Sequence, residues 1–244
     1  MRSALKPERA SPSASLMKAQ FASFVADAAF PCLGAKAAFS AHSQVISVYD
    51  ALGSQRSASP LAIDLGNFVQ SKLCRDGGFA TFIAIFREPR LLTEEEFERL
   101  LWSQLQQLHD IDAAHHQWDP TVSSDPFDPH FSFSFGGQAL YVVGLHERSS
   151  RHARRFAWPT LVFNPHAQFD RLRHDGHWQR MQEAIRRRDM ALQGEVNPML
   201  SDFGEQSEAR QYSGRRVSET WEARFHAAPR DDDHKTKARC PFHH

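Results

Sequence analysis

Residues 131–164 read FSFSFGGQALYVVGLHERSSRHARRFAWPTLVFN. Phe131, Phe133 and Phe135 alternate with serines, Gly136–Gly137 supplies a turn, and Ala139–Leu145 forms a second extended run, so the segment predicts a hairpin. Leu161–Phe163 adds another short strand. Between these runs lies a polar stretch that sets His146 beside Arg148, Arg151, His152, Arg154 and Arg155. Ligand-type and cationic groups against a hydrophobic wall are the layout of a site.

Downstream, Asn164 and Pro165 predict a helix start, with asparagine as N-cap and proline in the first turn, running through Phe169 and Leu172 to Gly176. A second helix over about 178–193 turns Trp178, Met181, Ile185 and Leu192 inward and stops at Gly194. Upstream, residues 111–130 form a long polar connection with three Asp-Pro steps, which resist regular structure. Before it, Thr93-x-x-Glu96 is a capping box opening a helix with an apolar face of Phe97, Leu100, Leu101, Leu105 and Leu108. FATFIAIF, residues 79–86, is nearly all apolar and predicts a strand covered on both faces, in the middle of the sheet.

Nearer the N-terminus, residues 16–30 predict a helix with Leu16, Phe21, Phe24 and Val25 inside, ended by Pro31. A short turn or helix follows over 33–40 and a strand over 44–49. Residues 50–60, DALGSQRSASP, read as loop from their glycine, serines and proline, and Leu61–Cys74 as a helix or long turn. Strands and helices without βαβ regularity predict an α+β fold, a mixed and mainly antiparallel sheet covered by helices in a single domain. That domain spans 16–226, between a disordered arm over 1–15 and a flexible charged tail over 227–244 that ends in Cys-Pro-Phe and two histidines.

The chain has 244 residues, 41% of them hydrophobic, enough for one large core. Lys+Arg and Asp+Glu are both 29, so no global field recruits nucleic acid or an anionic membrane, and any electrostatic role is local. The region 148–188 carries ten arginines and no lysine. Arginine's planar fork suits carboxylates and phosphates, which points to anion recognition. Three cysteines, Cys32, Cys74 and Cys240, are too scattered for a disulfide framework and imply a reducing compartment, the cytoplasm. No stretch approaches the roughly 20 apolar residues that span a bilayer.

HExxH, GxSxG and glycine-rich phosphate loops are all missing, so the usual hydrolase and nucleotide-binding readings lose ground. His146, after the apolar run YVVGL, can hold iron at the lip of a hydrophobic pocket, and the following arginines can pair with propionates or a substrate carboxylate. Cys240, followed by Pro241, is a rival thiolate ligand, and Cys32 is either a further thiolate or a small buried hydrophobe. Asp119, Asp125 and Asp128 can face the cation of an amine or guanidine, or simply stabilise turns.

Taken together, LTEEEFERLLWSQLQQLHDID, WDPTVSSDP, the 131–156 segment, LVFNPHAQFDRLR, IRRRDMALQGEVNPMLSDFG, EARQYSGR and the terminal CPF resemble the YqcI/YcgG family, in the same order from about Phe30 to Phe242. Members include heme-dependent N-oxygenases that hydroxylate the guanidine nitrogen of arginine-like amino acids in natural-product pathways. The resemblance implies heme b, dioxygen or peroxide as oxidant with an electron donor, and a small amine or guanidine substrate: a monooxygenase of a specialised biosynthetic pathway. It implies no nucleic-acid or membrane partner. On this reading His146 is the axial ligand with Cys240 as its alternative. Arg151, Arg154, and Arg155 or Arg215 face the propionates, and Asp125 and Tyr212 serve catalysis, Tyr212 as a hydrogen-bond donor. The alternative is a heme-binding or heme-sensing protein without turnover.

Overall fold

The computed structural model describes residues 12–75, 78–201 and 203–228. Its centre is a five-stranded sheet of β1 (Gln44–Ala51), β2 (Thr81–Glu88), β3 (Phe133–Phe135), β4 (Gln138–Leu145) and β5 (Thr160–Pro165), in the spatial order β1-β2-β5-β4-β3. The β1–β2 pair is parallel and the other three pairings are antiparallel, as the mainly antiparallel expectation requires. The parallel pair is joined by α3 (Gln55–Gln70) and α4 (Lys72–Arg75), the crossover that such a pair needs. The predicted hairpin is β3–β4, with Gly136 and Gly137 both at positive φ in its turn.

Strand alternation sorts the core into two layers. Phe82, Ala84 and Phe86 of β2, Leu161 and Phe163 of β5, and Leu140 and Val142 of β4 pack under α3 and α5 (Glu94–Asp112). The intervening Ile83, Ile85, Val162, Val143 and Leu145 turn to the opposite face, against Met17, Phe21 and Val25 of α1 (Ala14–Ala26). β2 is buried on both faces, as its unbroken apolar run predicts. α5 opens with the expected capping box, Thr93 and Glu96 each accepting the other's backbone N–H. It sits so close to β4 that a Cβ on Gly144 would lie 2.6 Å from Phe97 Cε1.

α2 (Leu33–Ser40) follows α1 on the second face. The chain closes through α6 (His166–His174), α7 (Trp178–Gln193), ended by Gly194 at positive φ, and the short α8 (Ala209–Tyr212). Three local expectations are corrected. The segment 50–60 is not all loop: Ser54 caps α3, which carries Pro60 inside it, because buried Ala58, Leu61, Ala62 and Leu65 bind the helix to the core while Pro60 faces out. Asn164 and Pro165 stay in β5, Asn164 opposite Tyr141, so α6 starts at His166 without a side-chain cap. α1 begins at Ala14, capped by Ser13 Oγ, and buries Met17 while Leu16 is exposed.

Candidate functional site

A cleft opens on the second face of the sheet, between it and the layer formed by α1, α2, α7, Asn197, Leu200, Ser201 and Phe203. It has two adjoining lobes of about 230 and 220 Å³ that share Cys32, Ala35, Thr81, Val143, Asn164, Ile185 and Leu200 in their walls. Together, they fall in the range of roughly 300–1,000 Å³ occupied by small ligands and cofactors. The first lobe runs toward Phe169, Trp178, Phe203, Glu208 and Gln211, the second toward Phe21, Phe39, Leu145, Arg151 and Arg154. The wall is mostly aliphatic and aromatic, with a few polar groups that converge on it.

Cys32 stands where the lobes meet. It is the N-cap of α2, and its Sγ accepts the N–H of Ala35 at 3.4 Å. Burial pushes the thiol pKa up, while the N–H groups of Ala35 and Gly34 and the charge of Arg154 pull the other way. Among the described residues it is the cysteine or histidine whose side chain lines both lobes, and no histidine lines either.

The arginine-rich stretch divides by geometry. Arg151 is the N-cap of the short 3-10 turn His152–Arg154 and Arg154 its last residue; the threefold repeat turns residues three apart to the same side, and both are buried at the second lobe. Arg148, His152 and Arg155 face outward, and Arg155 Nε donates to the Ser149 carbonyl at 2.7 Å. Arg151 is neutralised: Nη2 meets Asp189 Oδ2 at 2.6 Å and Nη1 meets Glu195 Oε1 at 3.3 Å. Arg154 instead donates from Nη1 to the carbonyls of Tyr212 and Gly144, at 3.0 and 3.4 Å, and among the described residues no carboxylate pairs with it. Burial lowers its pKa from the ordinary guanidinium value. Gly214, at φ +83°, makes room for it, since a Cβ there would lie 2.5 Å from Arg154 Cδ.

The other predicted site residues lie elsewhere. Val143 and Leu145 face the cleft, so the pleat sends His146 with Val142 and Gly144 to the α5 side, where its ring stacks on Phe97 at 4.5 Å. It is 2% exposed, neither ring nitrogen has a hydrogen-bond partner, and burial lowers its pKa. Arg215 is held by α5 through Glu98, with Nη2–Oε2 at 2.6 Å. Tyr212 is fully buried and its hydroxyl accepts the Phe133 N–H at 3.0 Å, a role inside the core. Asp125 is exposed and accepts the Phe127 N–H, while Asp119 and Asp128 accept the N–H groups of Thr121 and His130: three turn aspartates. Cys240 lies outside the described residues.

Residue reasoning missed Asn164, Asp189 and Glu208, all of which line the cleft. A polar residue ending the apolar strand LVFN was the one signal for Asn164. Nothing in a charged helix marks Asp189 as the carboxylate that turns inward to Arg151.

This is an α+β chain with a two-lobed, largely apolar cleft, a thiol at its waist and a buried guanidinium at one end. The sequence profile of the YqcI/YcgG family matches residues 21–226, and the chain belongs to that family. No curated protein and no solved structure gives a match.

Proposed function

We propose that the chain is a heme-dependent N-oxygenase of an arginine-like amine or guanidine, and that Cys32, in place of His146, gives its sulfur to iron. The observation that carries the reading is the Cys32 thiol at the junction of an apolar cleft that also contains Arg154 without a carboxylate partner.

The residues fit the group. A metal that arrives with a macrocycle needs one axial donor from the protein, and Cys32 offers it from a helix N-terminus, where N–H groups stabilise sulfur charge. A reducing cytoplasm keeps such a thiol free. A buried cation without a directly paired carboxylate is costly, and an anionic propionate beside Arg154 would reduce that cost. The aliphatic wall excludes water, and Asn164, Gln211 and Glu208 supply polar partners for a nitrogen-bearing substrate in the first lobe. Bound heme supplies the activation of dioxygen or peroxide, and thiolate ligation favours O–O cleavage.

The test is hemin titration of the full chain followed by the ferrous carbon monoxide spectrum. A Soret band strongly shifted to the red is expected for wild type, His146→Leu and Cys240→Ser, and is lost in Cys32→Ser. With reductant or peroxide, the loaded protein should convert an arginine-like amine to its N-hydroxylated product. A blank optical spectrum sinks the heme reading, and heme uptake without product leaves a heme-binding protein.

A further inference from the structure

Glu208 and Asp189 are the carboxylates lining the cleft among the described residues, and they are held differently. Asp189 is locked by Arg151 and by the Asn197 N–H, at 2.6 and 3.1 Å. Glu208, buried in the wall of the first lobe, faces a histidine. Its Oε1 lies 3.3 Å from His166 Nε2, and His166 Nδ1 lies 3.3 Å from Asp170 Oδ2, four residues on along α6. His166 is 5% exposed, whereas the Asp170 side chain is 58% exposed. These three ionisable groups run from the cleft to water, walled by Phe203, whose ring meets the imidazole at 4.6 Å, while Glu208 Oε2 accepts the buried Tyr212 hydroxyl at 3.5 Å.

We propose that Glu208, His166 and Asp170 form a proton relay between the first lobe of the cleft and bulk water, with Glu208 the group that exchanges a proton with the bound molecule. As a supply for oxygen chemistry, it rests on the oxygenase reading. As a path for protons, it stands on the row of atoms alone.

The charged groups around the ring favour a proton-carrying histidine. Burial alone would lower its pKa, but the nearby carboxylate of Glu208 and then that of Asp170 outweigh it and raise it. Arg173 holds the far oxygen of Asp170 at 2.6 Å and so leaves Oδ2 for the ring. The Glu208–His166 contact is within ion-pair reach but not aligned as a hydrogen bond, an arrangement that commonly tightens when a ligand fills a site. One proton moves per cycle. The imidazolium gives its Nε2 proton to the Glu208 carboxylate, which passes it to the acceptor in the lobe and is left a carboxylate, and the neutral ring turns over to present its bare nitrogen at Asp170. There water returns a proton. No bond other than those to hydrogen is made or broken.

The decisive measurement is exchange of the His166 ring N–H with water, by NMR of the full chain with ¹⁵N-labelled histidine and no cofactor added. Asp170→Asn, at an exposed position that does not itself line the cleft, is expected to slow exchange at least tenfold. Glu208→Gln should lower the titration midpoint of the ring by a pH unit or more. Exchange within twofold of wild type in Asp170→Asn overturns the relay. In heme-loaded protein, Asp170→Asn is expected to lower kcat at least fivefold with KM within twofold, and added formate to restore it. An unchanged kcat and pH profile in an active enzyme also overturns the relay. If the loaded wild type forms no product, the oxygenase reading falls, and the exchange rates alone decide the relay.

Discussion

His146 shows how one side chain can carry a binding signal in sequence and a different cost in the fold. Its imidazole lies in the α5 layer with both nitrogens unpaired, and a buried polar group left without a partner costs about 1–3 kcal/mol. His146→Leu forfeits the ring contact with Phe97, worth about 0.5–1.5 kcal/mol, but removes both unpaired nitrogens. Chemical denaturation should therefore find the variant as stable as wild type or up to about 2 kcal/mol more stable. The pH dependence has a definite sign. The folded pKa lies below the ordinary 6.5, so the unfolded chain takes up the proton first, and stability falls as pH drops from about 6.5 toward the folded value. His109, also lowered by burial, adds a second contribution of that sign, while His166, raised, acts oppositely: its stabilisation is present at low pH and is lost as pH rises through its folded pKa. Denaturation at several pH values should show a shallower acid loss in His146→Leu, by at most about 1.4 kcal/mol per pH unit. An equal slope in both proteins would remove His146 from the acid response.

At the scale of elements, what the chain revealed depended on whether local and tertiary preferences agreed. β2, the capping box and the Gly136–Gly137 hairpin were legible because apolar pattern and backbone chemistry pointed the same way. α3 was partly hidden: glycine, serines and proline over 50–60 spell a loop, and only burial of Ala58 and Leu61 against the sheet makes that stretch a helix. Two glycines separate the same forces experimentally. Gly144→Ala would bring a Cβ to 2.6 Å from Phe97 and 2.9 Å from Leu101, both in the packed core, and overpacking of this kind costs about 1–3 kcal/mol. Gly66→Ala, inside α3, meets Phe135 at 3.9 Å, an ordinary contact, so the helix should gain about 0.5–1 kcal/mol. Thermal melts of the pair should shift in opposite directions, and a rise in both would mean that α5 yields to the extra methyl.

The whole molecule assembles its cleft from parts that are far apart in the chain: the turn between α1 and α2, the second face of the sheet, α7, and Asn197, Leu200, Ser201 and Phe203. That is why sequence reading found the arginines but grouped them with a histidine of the other layer. Adjacency placed His146 next to Arg151 and Arg154, whereas the pleat sends that histidine to the other layer and brings Cys32, more than a hundred residues upstream, to the arginines' side. A ligand held in this space must cross its waist at Val143, which lines both lobes from a rigid strand. Val143→Phe keeps a residue suited to a strand and fills empty volume, so the protein should fold with a melting temperature within a few degrees of wild type. Hemin at a hundred times its Kd would stabilise wild type by about 2.7 kcal/mol. In Val143→Phe the same hemin concentration should give little stabilisation, with affinity reduced at least tenfold. If the variant binds hemin like wild type and gains the same melting shift, heme is held outside the cleft, and Cys32 and Arg154 lose the roles given to them here.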